Sequence, residues 1–285
     1  MNLTLRPGRP DDAQACGRIG YEAFKKIAEE HNFAPDFPSA DAAIGVLSWI
    51  LSDPGFYSVV AEVDGRVVGS NFLYERNVIA GVGPITIDCT LQNKAIGRAL
   101  MEAVQERAAK KNFPGVRLVQ AGYHMRSLSL YTKLGYVVRE PLACMQGRPL
   151  NVAIPGYTVR AAVKDDLESC NTLCRISHGH DRAGELAGAI EHGTALVVES
   201  ERRITGYASS IGFFGHAISE TNSGLKALIG AAKEFSGPGF LLPLRNAEVF
   251  RWCLEQGLRV VQPMTLMSRG LYNEPATAFL PSILY

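Results

Sequence analysis

The chain has 285 residues and a formal net charge of +1, with 29 lysines and arginines against 28 aspartates and glutamates. This near-balance lacks the basic footprint of a nucleic-acid binder. No apolar run approaches the ~20 residues needed to cross a bilayer. At 47% hydrophobic and 20% charged residues, the composition suits a globular chain long enough for two ordinary domains. The six cysteines (16, 89, 144, 170, 174 and 253) form no Cys-x-x-Cys pair and no zinc spacing. They read as free thiols of a reducing cytoplasm, with no metal site expected.

Residues 3–6 read as a strand rather than a secretion signal, and Asp11-Asp12 stand where a helix starts. That helix should run to about His31, with Ile19, Phe24, Ile27 and Ala28 inward. The stretch from His31 to Ser39 holds two prolines and reads as a loop, after which Ser39 caps a second helix to about Leu51. Tyr57–Val63 and Val67–Tyr74 flank Asp64-Gly65, a hairpin signal because the tight primed turn needs positive φ. A strand over Val82–Thr90 follows, with Ile85, Ile87 and Cys89 on one face. Then come a helix from near Gly97 to Lys110, a strand over Val116–Gln120 and a helix over Ser127–Leu134 ending at Gly135. Strands over Tyr136–Arg139 and Leu142–Gln146 close this half.

The stretch from Ile85 to Lys110 organises the rest. A strand passes through Gln92-Asn93-Lys94 into a helix, so backbone N–H groups at the helix start form a natural seat for phosphate. Ala95 and Gly97 allow close approach to the backbone, and Lys94 adds positive charge. Packing alone also accounts for small residues at such a turn.

Gln92-x-x-Ala95-x-Gly97 resembles the pyrophosphate loop of the GNAT acyltransferase superfamily, Gln/Arg-x-x-Gly-x-Gly/Ala, with Ala95 at the first glycine position. Ser129-Leu-Tyr-Thr-Lys-Leu-Gly-Tyr136 resembles the superfamily's Leu-Tyr-x-x-x-Gly-Phe signature. The element order and the spacing of about 34 residues from Gly97 to Tyr131 agree with it. The resemblance covers nearly all of residues 3–147. It implies a mixed α/β fold with a twisted, mostly antiparallel sheet flanked by helices.

Beyond a proline-marked linker the chain begins again. Thr158, Arg160, Asp165-Asp166 and Cys170 repeat Thr4, Arg6, Asp11-Asp12 and Cys16 at an offset of 154, and Gly257 ends a helix as Gly135 does. The expected organisation is therefore a tandem of two GNAT-like domains, at 1–148 and 157–285, joined by 149–156. In the second copy Glu220 to Leu225 stand where Gln92 to Gly97 stood, and Cys253 where Tyr131 stood. An acidic loop mouth repels phosphate, so this copy is expected to carry no cofactor site.

The resemblance implies acetyl-CoA, or another acyl-CoA, as co-substrate. Its pantetheine arm would lie along 82–90, near Ile87, Asp88 and Cys89, whose backbone would polarise the thioester. Gln92, Asn93, Lys94, Ala95, Ile96, Gly97, Arg98 and Ala99 would hold the pyrophosphate, with Ser127 nearby. Tyr131 would protonate the leaving thiolate, although a tyrosine on an amphipathic helix also reads as core. Glu75 and Asp88 are alternative general bases, and Asp88 equally reads as solvent-facing. His124 and Ser127 depart from the Asn and Ala of the family pattern, and Cys89 stands where proline is common. Cys89, Cys170 and Cys174 read as packing, and His178-Gly-His180 as a helix-ending loop rather than a metal site. The implied activity is N-acyl transfer to a primary amine of a small molecule or amino acid, without nucleic-acid or membrane partners and with room for a homodimer. The alternatives are a non-catalytic acyl-CoA-sensing module and a protein-lysine acetyltransferase.

Overall fold

The computed structural model describes residues 2–92 and 94–284. The first half runs β1 (Leu3–Pro7), α1 (Ala13–Glu30), α2 (Ala40–Ser52), β2 (Phe56–Val63), β3 (Arg66–Tyr74), β4 (Ala80–Val82), β5 (Thr86–Ile87), α3 (Ile96–Lys110), β6 (Gly115–Ala121), α4 (Met125–Lys133) and β7 (Val137–Gln146). The second half runs β8 (Thr158–Ala161), α5 (Leu167–His178), α6 (Ala183–Glu191), β9 (Leu196–Ser200), β10 (Arg203–Ala208), β11 (Ala217–Ser219), α7 (Asn222–Ala231), β12 (Phe240–Pro243), α8 (Ala247–Glu255), β13 (Arg259–Gly270) and β14 (Ala278–Leu280).

Local chemistry sets most of these elements. Ser39 accepts a hydrogen bond from the Ala42 amide and caps α2. Asp64 and Gly65 take φ of 51° and 80° and close the β2–β3 hairpin. Gly135 and Gly257, at φ of 88° and 86°, end α4 and α8 alike. Where α1 crosses α2, a Cβ on Gly17 would lie 2.5 Å from the Ile44 Cα, so only glycine permits that approach.

The strand expected over Val82–Thr90 is broken instead. β4 ends at Val82, Gly83 and Pro84 interrupt the ladder, and β5 resumes on β3 with its register slipped by one residue. Pro84 has no N–H to give a neighbouring strand, which is why a bulge forms here. Thr86 and Ile87 take opposite faces as expected, Thr86 buried toward α1 and Ile87 packed toward α3, but Cys89 leaves the Ile87 face and packs on α1. Downstream, the two strands expected over 136–139 and 142–146 are the single strand β7, and α7 starts three residues earlier than Leu225.

The larger sheet is ordered β1-β2-β3-β4-β6-β13-β7-β12, with β5 also on β3, and the smaller β14-β11-β10-β9-β8. β6 and β7, which flank α4, are therefore separated by β13 from the second half. Reciprocally, β12 and β13 flank α8 and are separated by β7. The first half thus contributes β7 to the second, and the second contributes β13 to the first. The boundary at 149–156 divides the sequence, but the hydrogen-bonded sheet runs across it.

The repeat extends to side chains. Arg6 binds Asp12 through both terminal nitrogens and Glu62 through Nε, and Arg160 binds Asp166 and Glu199 in the same way. Arg66–Asp88 and Arg203–Glu220 form a second corresponding pair. Glu220 is therefore the counterpart of Asp88, not of Gln92. Between β5 and α3 lie residues 88–95, whereas between β11 and α7 lie only Glu220 and Thr221. No helix among the described residues is long and apolar enough to cross a membrane.

Candidate active site

The cavity at the centre of the larger sheet follows from the broken strand. β4 pairs with β6 in parallel only at Ala80–Val116 and Gly81–Arg117. Past that point the strands part, and a cavity of about 1000 Å³ opens between Val82–Ile87 on one side and Leu118–Ala121 on the other. Because the Asp88 amide donates to the Val68 carbonyl at 2.8 Å, the antiparallel alternation turns the Ile87 N–H and C=O toward the open edge. Of the amides expected to face a thioester near Ile87–Cys89, Ile87 thus has the right orientation and Asp88 does not.

One end of the cavity is walled by the start of α3 and by α4. Leu91, Gln92, Ala95, Ile96, Gly97 and Arg98 line it, with Arg126, Ser127 and Tyr131 opposite. Ala95 sits at φ 61° as the N-cap of α3 and makes no side-chain cap, so the first amides of that helix are left for another acceptor. Arg126 donates to the Gln92 side-chain oxygen, Oε1, at 2.7 Å and ties the loop to α4. Gly97 is needed for packing: a Cβ there would meet the Ile87 side chain at 2.9 Å.

Tyr131 is buried on this wall, 6.2 Å between ring centroids from Tyr136. Burial pushes its phenol up to about 12, opposed by a hydrogen bond with Ser127. The group remains protonated at neutral pH and holds a proton to give. His124, also on the wall, is pushed down to about 4 by burial and by nearby Arg126, and so is neutral.

Other expected residues lie elsewhere. Asp88, Cys89, Lys94 and Ala99 are outside the described cavity wall, and Asn93 lies outside the described residues. Cys89 packs against α1, its thiol 3.9 Å from the Glu22 carbonyl oxygen. Neither expected base faces the cavity. Glu75 accepts two bonds from Arg107 at 2.7 and 2.9 Å, and the Arg107 guanidinium stacks on Tyr57. Asp88 accepts from the Thr90 amide and hydroxyl and from Arg66. Burial raises the Asp88 carboxyl, but those bonds outweigh it and hold the group below its ordinary value. Cys170, Cys174 and Cys253 are buried in cores. His178 faces His216, Nε2 to Nε2 at 3.1 Å, inside the second half.

The opposite end of the cavity combines the two halves. The loop between α1 and α2 brings Asp36, Phe37 and Pro38, while the second half brings Phe213, Phe214, Met264 and Leu284. Gln262 of β13 donates to Asp36 at 3.1 Å and accepts from the Tyr123 hydroxyl at 3.3 Å. Tyr123 in turn stacks on Phe33, with centroids 4.5 Å apart. Burial raises the Asp36 carboxyl, only partly countered by the Gln262 bond. Gln120 is buried on the same wall, and neither atom of its amide has a hydrogen-bond partner among the described residues. No sequence motif marks Asp36, Gln120 or Gln262. Only an acidic residue flanked by Pro35 and Phe37 in an otherwise apolar loop hinted at the first.

Residues 21–136 match the family model described as acetyltransferase (GNAT) family. An uncharacterized protein of Bacillus subtilis (strain 168), YxbD, is 28% identical over 74 residues, 26% of this chain and 45% of that protein. The chain thus spans about half the length of that curated relative. Among solved structures, a candidate acetyltransferase from Pyrococcus horikoshii superposes with a TM-score of 0.75 at 16% identity, covering 99% of this chain and 94% of that one. A GCN5-related N-acetyltransferase from Sphaerobacter thermophilus gives 0.58 at 16% identity, covering 95% and 96%. Both likenesses concern the fold, and both extend over the two halves.

Proposed function

We propose that this chain, whose residues 21–136 match the acetyltransferase (GNAT) family model, transfers an acetyl or other short acyl group from coenzyme A to a primary amine of a small molecule. The parting of β4 and β6 carries the reading. It joins, in one cavity, an uncapped helix start, an open strand edge and a buried phenol. Phosphates of the co-substrate meet the first amides of α3, with Arg98 and Arg126 beside them. The arm then follows the β5 edge, where the Ile87 amide meets the thioester carbonyl and stabilises charge developing on its oxygen.

In the transfer, the neutral amine nitrogen attacks the carbonyl carbon. The C–N bond forms and the C–S bond breaks. The nitrogen gives up one proton to solvent water, and Tyr131 gives its proton to the departing sulfur and regains one from solvent. Thiol release from acetyl-CoA across an amine panel tests the reading, alongside calorimetric titration with CoA. Release with an amine and binding near one equivalent are expected. Absence of both CoA binding and release with every amine would overturn it.

A further inference from the structure

The end of the cavity away from α3 has a chemistry of its own. Its walls are aromatic and aliphatic: Phe24, Phe37, Phe213, Phe214, Met264 and Leu284. Among the described residues two carboxylates line the cavity, and they differ. Glu30 sits 3.9 Å from Lys26, both half-exposed at the rim. Asp36 has no cationic partner among the described residues, only the neutral amide of Gln262. The buried Gln120 amide adds a second unsatisfied polar group on the same wall. The carboxylate and this amide line one largely apolar cavity, where a hydrogen bond or an opposite charge supplied by a ligand counts for more than in water.

Resting on the acyl-transfer reading above, we infer that the acceptor is an apolar monoamine, an aromatic or branched aliphatic body with one primary amine. Its ammonium is received by Asp36 and the Gln120 carbonyl oxygen. An amino acid fits poorly, because its carboxylate needs a cation here. Apart from Lys26, the cations that line the described wall, Arg98, Arg126 and Lys133, sit on α3 and α4, the phosphate end. A polyamine fits poorly too, since its further charges would find only the Lys26-paired Glu30. Asp36 also suits the proton bookkeeping. As the carboxylate it can take a proton from the bound ammonium, burial favouring the protonated form, and leave the neutral amine that attacks. Gln262, from the second half, is a positioning residue that holds Asp36, and Tyr123 of the first half orients Gln262.

The test uses 2-phenylethylamine against L-phenylalanine, spermidine and a lysine-containing peptide, with acetyl-CoA and the full chain. We expect kcat/KM for 2-phenylethylamine to exceed the others by about 100-fold. Asp36→Asn should lower that value roughly 10²–10⁴-fold and abolish calorimetric binding of the amine, while CoA affinity holds. The Asn variant should melt no lower than wild type at neutral pH, because it removes a charge that burial disfavours. A preference for phenylalanine, spermidine or the peptide would overturn this inference and leave acyl transfer standing. So would 2-phenylethylamine that neither binds nor reacts while acetyl-CoA binds, or an Asn variant with wild-type rate and amine affinity. Loss of CoA binding together with all release would overturn both.

Discussion

Arg160 holds Asp166 through two bonds of 2.6 and 2.9 Å, as Arg6 holds Asp12 at 2.8 and 2.7 Å in the other half. In each case the carboxylate also accepts a backbone amide, Val163 or Arg9, at 2.8 Å and fixes the turn into the next helix. These pairs anchor the first strand of each half to its first helix. Asp12→Ala should destabilise the fold by about 2–3 kcal/mol, below the ~3–5 of a fully buried pair because Arg6 keeps contact with water. The Arg6 guanidinium holds the Asp12 carboxyl below its ordinary value. The folded state therefore binds fewer protons than the unfolded one as pH falls past the ordinary carboxylate range. Stability is full above that range and is lost as pH falls through the depressed value. Urea titrations of wild type and variant at neutral and acidic pH check this: the gap should close on acidification.

Tyr131 is the proton donor in the proposed transfer. Tyr131→Phe should lower kcat by about 10²–10⁴-fold while CoA affinity changes little, because the ring packing survives. A phenol near 12 stays loaded throughout the neutral range, so its ionisation should not shape the pH–rate profile there. Steady-state kinetics with a verified amine, paired with calorimetry, decide the matter. Wild-type turnover in the Phe variant would reduce Tyr131 to a core residue.

One CoA should bind per chain, at the first half. The second half lacks the loop itself, since only Glu220 and Thr221 connect β11 to α7. The start of α7 is closed by Thr221, which accepts from the Gly224 amide at 3.1 Å, and Glu220 is engaged by Arg203. Cys253, buried in the core, takes the place of a tyrosine. Calorimetric saturation at two equivalents would contradict this expectation.

Acid should loosen the second half. His180 is pushed down to about 4 by burial, against an ordinary 6.5, and His178 and His216 are lowered as well. All three are held neutral, so the unfolded state binds more protons as pH falls below about 6.5. Stability falls with pH from there until the folded-state value is passed. For His180 alone the loss is on the order of 3 kcal/mol. Protonating whichever of His178 and His216 accepts at Nε2 would also set two N–H groups against each other across their 3.1 Å contact. Thermal melts between pH 7 and 4 should show a falling midpoint, and His180→Asn should flatten the slope.

Much of this protein was legible along the chain because the signals are local. Asp64-Gly65 could only be a tight turn, Ser39 a cap and Gly135 a helix end. The repeat from Arg6 to Arg160 announced two similar halves. Side-chain spacing and turn chemistry act within a few residues, so the sequence carries them openly. What it does not carry are pairings between distant segments. The exchange of β7 and β13 is a choice of hydrogen-bond partner, and a strand offers the same backbone to either neighbour. The parting of β4 from β6 depends on Pro84 breaking a ladder whose far side lies thirty-odd residues on. Glu75 and Asp88 looked available until Arg107 and Arg66 closed on them. Asp36, in a loop with no motif, enters the site only because Gln262 reaches it across 226 residues. The proposed cofactor end was legible in local sequence because a helix start can bind phosphate with its own backbone. The acceptor end exists only in three dimensions, since its walls come from both halves and no single segment contains them.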